Sequence, residues 1–392
     1  NRESRAQLTR ESGLTRPIER PSALDRFVSA LNPDFIRFSF TVSLRIPLLP
    51  DGQSPLNMNK RTVLTGITTT GTPHLGNYVG AIKPCIEASH EEDVNSYYFL
   101  ADYHSLVKNK DPDMVRQSTL EIAATWLALG LDTDKAAFYR QSDIPEIPEL
   151  TWIITCSTAK GLMNRSHAYK AMVQENVAAG EDPDFAINMG LFSYPILMAA
   201  DILMFGSTHV PVGKDQIQHL EMARDIAQRF NHHYGEILVI PEAVTSEHVA
   251  VLPGKDGRKM SKSYNNTIPL FLPEKQLRKA IMRIVTNSLE PGEPKDADDS
   301  ALFSIYAAFA SEEQRAEMRQ AYADGIAWGQ AKQQTFELIN GELAESRERY
   351  MALLEHPDRI EETLIDGAKK AREFASSYLA RIREAVGLRS LA

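Results

Sequence analysis

Two lysines three residues apart, set among glycines and hydroxyls, form a cationic loop in Lys259-Met-Ser-Lys262-Ser263, which follows Gly254-Lys-Asp-Gly-Arg258. The flanking glycines leave such a loop mobile as well as cationic. Far upstream, Gly71-Thr-Pro-His74-Leu-Gly76-Asn77 offers a complementary part. His74 and Asn77, three apart on a first helical turn, can face one anion, and Gly76 lets a flat base lie against bare backbone. A third run, Ser193-Tyr-Pro-Ile-Leu-Met-Ala-Ala-Asp201-Ile-Leu-Met, places Tyr194, Met198 and Asp201 on one helix face. Asp201 is an acid in an otherwise apolar helix, where a buried carboxylate requires a donor, and Tyr194 and Met198 beside it suit an aromatic ligand. The fourth run, Val210-Pro-Val-Gly213-Lys-Asp215-Gln216-Ile-Gln-His219, reads as a strand ending in a glycine turn that opens a helix. Each run also has an ordinary reading: a solvated basic loop, a turn with a surface histidine, a structural acid.

What positions these residues is legible from periodicity. Val63–Ile67, Tyr97–Ala101, Ala137–Gln141 and Thr208–Val212 read as strands. Helical spacing covers a start near Asn77, Met114–Leu129, and the stretches 149–176, 185–205 and 215–230. Strands alternating with helices predict an α/β fold, a doubly wound parallel (Rossmann-like) sheet. Ligands of such sheets bind at the carboxyl ends of strands, beside helix N-termini, which is where the first and fourth runs fall. Past residue 272 only helical patterns remain, at 273–285, 302–309, 311–322, 326–352 and 360–386. The expected division is therefore a catalytic domain over 58–272 with a helical insertion, and an all-helical domain over 273–392.

Residues 1–57 stand apart, with eight arginines, no lysine, six acidic residues and no helical period. The apolar stretch Val42–Leu49 is broken by Ser, Arg and Pro, which excludes a signal peptide, and the acids argue against a transit peptide. Met58, followed at once by an apolar strand, reads as the natural start. The earlier segment reads as a leader or an artificial extension without fixed structure; an RNA-binding arm is the sharper alternative. The two cysteines, Cys85 and Cys156, have no metal-ligand spacing and imply no disulfide framework, which points to a reducing compartment and a cytoplasmic protein. No apolar run is long enough to span a membrane. A net charge of -9 neither announces a nucleic-acid partner nor excludes one, since a local basic face can serve a single RNA.

The histidine turn in the first βα unit together with Lys259-Met-Ser-Lys-Ser263 resembles the paired signatures of the class I aminoacyl-tRNA synthetases. The resemblance implies that an amino acid carboxylate attacks the α-phosphate of ATP, and that the acyl group then passes to the terminal ribose of a tRNA. It assigns catalysis to His74, Asn77, Lys259 and Lys262, with Gly76 under the adenosine. The Tyr194–Asp201 helix and the Val210–Gln216 turn resemble the tryptophanyl branch, in which the aspartate accepts the indole N–H. Carried over, Asp201, Tyr194, Met198, Gln216, Gly66, His104 and Val212 line a tryptophan pocket. Thr68, Thr69, Thr70, Gly213, Lys214, Asp215, Val251, Met260, Ser261 and Ser263 join the ATP side. Two departures stand out: Thr68-Thr-Thr70 replaces a common Gln-Pro-Ser, and Lys214 stands where many relatives carry an acid. The implied partners are L-tryptophan, ATP with Mg²⁺ and no protein-built metal site, tRNA(Trp), and a second copy of the chain as a homodimer. A tyrosyl-tRNA synthetase is the nearest alternative, but the strand position that would bind a phenol is Leu64. An inactive RNA-binding paralogue is the alternative outside the enzymes, and the intact signatures oppose it.

Overall fold

The computed structural model describes residues 61–91, 94–211, 216–244 and 252–388, all within the unit Pro55–Ala392. The reading of residues 1–57 lies outside the described residues. Five parallel strands form one sheet: β1 (Arg61–Thr68), β2 (Val94–Ala101), β3 (Ala137–Arg140), β4 (His209–Pro211) and β5 (Glu242–Val244). Their order is β3-β2-β1-β4-β5. The chain steps outward from β1 to β3, then returns past β1 to lay β4 on its other side, so the winding reverses between β1 and β4. A crevice opens at such a reversal, and it is the usual ligand position of doubly wound sheets. β5, three residues long, had no periodic signal in the sequence.

Along the chain the helices are α1 (Leu75–Asn77, continuing through a π-helical turn at Tyr78–Ile82 into Lys83–Ser89), α2 (Asp102–Ser105), α3 (Pro112–Ala128), α4 (Glu146–Ser157), α5 (Lys160–Met163), α6 (His167–Ala179), α7 (Met189–Met204) and α8 (Ile217–Tyr234). After β5 come a 3₁₀ turn at Lys262–Tyr264, then α9 (Glu274–Met282), α10 (Ala301–Ala307), α11 (Glu312–Ala323), α12 (Trp328–Glu355) and α13 (Pro357–Ala385). The helix expected over 149–176 is broken in two places. Thr151, Thr155, Ser157 and Thr158 all turn their hydroxyls back to carbonyls of the preceding turn, a competition with the helix ladder that ends α4.

Period-2 alternation along the strands builds two cores. Tyr98, Leu100 and Phe138 face one side, with α1, α3 and the helices α9 to α12; Leu64, Phe99, Ala101, Ala137 and Tyr139 face the other, with α4, α7 and α8. α13 joins both. Ile360 and Leu364 belong to the first core, and Ala368, Ala371, Phe374 and Leu379 to the second, so this helix wraps the edge strand β3. Gly367 is the crossing point: a Cβ there would fall 1.8 Å from the Phe138 carbonyl oxygen. Ion pairs Arg140–Glu361 (2.7 Å) and Arg372–Glu146 (3.0 Å) flank the crossing. The Gly367–Arg372 segment therefore lies against the edge of the sheet.

Candidate active site

The β1 end leads into a turn that is pinned from behind. The Gly71 N–H donates to Ser118 Oγ at 2.8 Å and the Thr72 hydroxyl to Glu121 at 2.7 Å, both on α3. Gly71 has φ 77°, a left-handed conformation that favours glycine. Thr68 and Thr70 are exposed at the crevice, whereas Thr69 is fully buried. His74 is the N-cap of α1: its Nδ1 accepts from the Asn77 N–H at 3.3 Å, while Asn77 Oδ1 accepts from the His74 N–H at 3.1 Å. This reciprocal cap satisfies donors that a helix start leaves open. Burial, and then the charge of Lys262, push the His74 pKa down to about 4. At neutral pH the ring is therefore uncharged, and since Nδ1 is an acceptor the proton sits on Nε2. Both side chains thus spend one acceptor on the cap, leaving the His74 Nε2–H and the Asn77 amide N–H groups for an anion.

The lysine loop is tied to this turn by backbone. Leu75 N–H donates to Ile268 O at 3.0 Å, Leu270 N–H donates to Pro73 O at 3.0 Å, and His74 bridges to Pro269. Lys262 Nζ reaches the Thr70 carbonyl at 2.5 Å, and a Cβ on Gly71 would lie 3.5 Å from it. The two signatures therefore meet. Ser261 caps the turn that carries Lys262, its Oγ accepting from the Ser263 N–H at 3.3 Å. The peg of the loop is Asn266, which sequence reasoning missed. Its buried amide donates to Asp256 and to Lys259 O and accepts from the Ser261 N–H. Gly254 makes room for it, since a Cβ would fall 2.4 Å from the Asn266 side chain. Met260, expected at the nucleotide, turns its side chain into the first core and gives its N–H to Leu252 O. Gly76 faces the His74 ring at 3.1 Å and Met260 Cβ at 3.6 Å from where a Cβ would stand. Lys259 is not at the turn; it lines a cavity of about 630 Å³ together with Asp296, Asp298 and Asp299.

The acid of α7 is built differently. Asp201 is 1% exposed. His104, on α2 just past the end of β2, meets Oδ2 at 2.9 Å, and the Gln141 amide, just past the end of β3, donates to both oxygens at 2.8 and 2.9 Å. Burial raises the Asp201 pKa above the usual carboxylate value, and the His104 and Gln141 contacts oppose it. Tyr194 stands edge-on to His104 with centroids 6.3 Å apart, and its hydroxyl meets His219 Nε2 at 2.6 Å. Met198 packs on the second core, and Gln216 is the N-cap of α8. Gly66 is exposed at the β1 end, opposite Phe99 in register, where a Cβ would sit 2.3 Å from the Phe99 ring. Val212, Gly213, Lys214, Asp215 and Val251 lie outside the described residues. The structure thus gathers His104, Gln141 and Asp201 past β2 and β3, and His74, Asn77 and Lys262 past β1, all on the carboxyl edge of one sheet. Gln141 carries no local sequence signal, since its partner Asp201 comes from another element. Asn266, whose partners lie within its own loop, is one of two adjacent asparagines that the sequence does not tell apart.

A geometry of this kind has relatives. The family described as tRNA synthetases class I (W and Y) matches residues 57–344. A tryptophan–tRNA ligase of Pseudomonas aeruginosa is 65% identical over 332 residues, 84% of this chain and 74% of that one. One of Neisseria meningitidis is 58% identical over 335 residues, 85% of this chain and all (100%) of that one. A crystal structure of tryptophanyl-tRNA synthetase from Campylobacter jejuni, complexed with ADP and tryptophan, is 44% identical with a TM-score of 0.74, over 83% of this chain and 100% of that chain. The match over residues 57–344 and the identity to these ligases show that the chain belongs to the tryptophanyl-tRNA synthetases of class I.

Proposed function

We infer that the chain activates L-tryptophan with ATP and loads it onto tRNA(Trp). The tryptophan carboxylate oxygen attacks the α-phosphorus, an O–P bond forms, and pyrophosphate leaves with the electron pair of the cleaved bond. A hydroxyl of the tRNA's terminal ribose then attacks the acyl carbon and AMP departs. Neither step needs covalent help from the protein, so alignment and charge neutralisation carry the catalysis. His74 and Asn77 meet the phosphates with their remaining N–H donors, and Lys262, already at the Thr70–Gly71 turn, neutralises the leaving pyrophosphate. Lys259 leaves its acidic cavity to join it, a loop movement of the kind that gates many active sites. Mg²⁺ arrives on the ATP phosphates.

The observation that carries the tryptophan reading is Asp201. An indole N–H donates and cannot accept, so its site requires an acceptor that cannot switch roles, and an ionised carboxylate is one. A tyrosyl reading is weaker, because Leu64, where a phenol partner would stand, is a buried member of the apolar second core. We also propose that the helices after residue 272 receive the tRNA anticodon arm, that the protein works as a homodimer, and that it acts in the cytoplasm. ATP–pyrophosphate exchange with each amino acid in turn tests the reading. Exchange with tryptophan alone is expected; exchange with tyrosine, or none with either, overturns it.

A further inference from the structure

We propose that Gln141 is a specificity-positioning residue: it holds the Asp201 carboxylate in one plane so that a single acceptor position remains for the indole N–H. The inference rests on the tryptophan reading of Asp201. Gln141 is 0% exposed, and its amide N–H group is shared between both carboxylate oxygens. The opposite amide orientation would set a carbonyl oxygen against the carboxylate, so the nitrogen must face Asp201. Among the described residues the Gln141 carbonyl finds no hydrogen-bond partner. A buried acceptor left open is costly, and here that cost is set against the two hydrogen bonds the amide gives to a buried carboxylate.

The scaffold around it is stiff. Gln141 opens a 3₁₀ turn, Gln141–Asp143, directly after β3. Asp102 accepts from the Ser142 N–H at 3.1 Å and from the Ser142 hydroxyl at 2.5 Å. Asp102 also begins α2, which carries His104, so one carboxylate ties together the two elements that supply the donors to Asp201. An ionised carboxylate offers about four acceptor positions. His104 occupies one on Oδ2, and Gln141 takes one on each oxygen. What is left is one direction. Removing Gln141 frees the carboxylate to turn about its bond to the helix, and it weakens the donors that keep a buried acid charged and therefore unable to donate.

The test uses the full chain and pyrophosphate exchange with tryptophan and phenylalanine, in wild type, Gln141→Leu, Gln141→Glu and, in parallel, Asp201→Ala. Gln141→Leu is expected to raise the KM for tryptophan by roughly 10-fold or more, to change kcat little, to leave the KM for ATP unmoved, and to narrow the tryptophan-to-phenylalanine ratio. Gln141→Glu supplies a readout that a structural role would not move. Its carboxyl donates to Asp201 only while protonated, so kcat/KM for tryptophan falls as pH rises through the titration of the pair, over a range where wild type is flat. Position 141 faces Asp201 on α7, and the titratable groups that interact with Asp201 are Asp102 and His104 on α2 and Tyr139 on β3; all four are unchanged between the two proteins. If Gln141→Leu melts earlier but keeps its tryptophan KM and its amino-acid ratio, the inference is overturned. If that variant does not fold, a wild-type pH profile in Gln141→Glu overturns it equally. Should Asp201→Ala narrow the ratio while both Gln141 variants leave it alone, only the positioning role falls; if all three leave it alone, the tryptophan reading of Asp201 falls with it.

Discussion

Replacing Asp201 with alanine separates what the acid does for stability from what it does for recognition. In the fold, the change strands the Gln141 amide and the His104 nitrogen, and a buried donor without a partner costs about 1–3 kcal/mol. Against that loss, the variant no longer buries a charge. Burial raises the pKa of Asp201, and a group whose folded pKa exceeds its unfolded value stabilises the fold below the unfolded pKa and loses that contribution as pH rises through the folded pKa. At pH 7 the two effects oppose each other, and the unfolding free energy of Asp201→Ala should lie within about 2 kcal/mol of wild type. As pH falls toward 4, the comparison should swing in favour of wild type. Recognition has no such compensation. An indole N–H on a carboxylate is worth about 1.5–3 kcal/mol, or roughly 10- to 150-fold in kcat/KM for tryptophan. Phenylalanine makes no such bond, so the tryptophan-to-phenylalanine ratio should shrink by the same factor, with Asp201→Asn falling between. The assays are urea unfolding from pH 4 to 7 and pyrophosphate exchange with both amino acids. A ratio that stays at its wild-type value, or a loss of stability above about 4 kcal/mol with both amino acids failing alike, would make Asp201 a structural acid.

Lys262→Ala should cut the rate of adenylate formation by about 10²-fold or more while tryptophan binding stays near wild type, because its charge acts on the developing pyrophosphate; equal losses in both, read by single-turnover kinetics and equilibrium dialysis, would refute this. His74→Asn keeps an N-cap acceptor but removes the titration. The folded pKa of about 4 lies below the ordinary 6.5, so wild type should lose up to about 3 kcal/mol as pH falls from 6.5 through 4, and the variant should show a flatter urea midpoint over that window; parallel curves would refute the buried, neutral histidine. Gly367→Ala sets a Cβ against backbone rather than against a flexible side chain, and should destabilise the fold by at least about 3 kcal/mol in urea unfolding, whereas a change below about 0.5 kcal/mol would mean that α13 can lift off β3 freely.

What the sequence disclosed, and what it hid, follows from how far each partner lies along the chain. The Gly71–Asn77 turn was readable because strand, turn, cap and helix are contiguous, and the structure returns them as β1, a pinned turn and the His74–Asn77 cap. Asp201 was readable because one acid in an apolar helix violates the local pattern. Gln141 violates nothing: a polar residue after a short strand is what a loop looks like, and its meaning comes from a carboxylate 60 positions away. Gly367 did leave a signal, a glycine inside a long amphipathic stripe, but a close approach to Phe138 cannot be read from a helix that gives no hint of what crosses it. Lys259 and Lys262 are the sharpest case. In sequence they are two equivalent charges in one pentamer. In space the Ser261-capped turn and the Asn266 peg send Lys262 to Thr70, while Lys259 lines the cavity of Asp296, Asp298 and Asp299. The two lysines therefore start from different places, and only one of them is already in reach of the turn where the phosphates would lie. The amide that holds the two lysines apart, Asn266, lies outside the pentamer that names the motif.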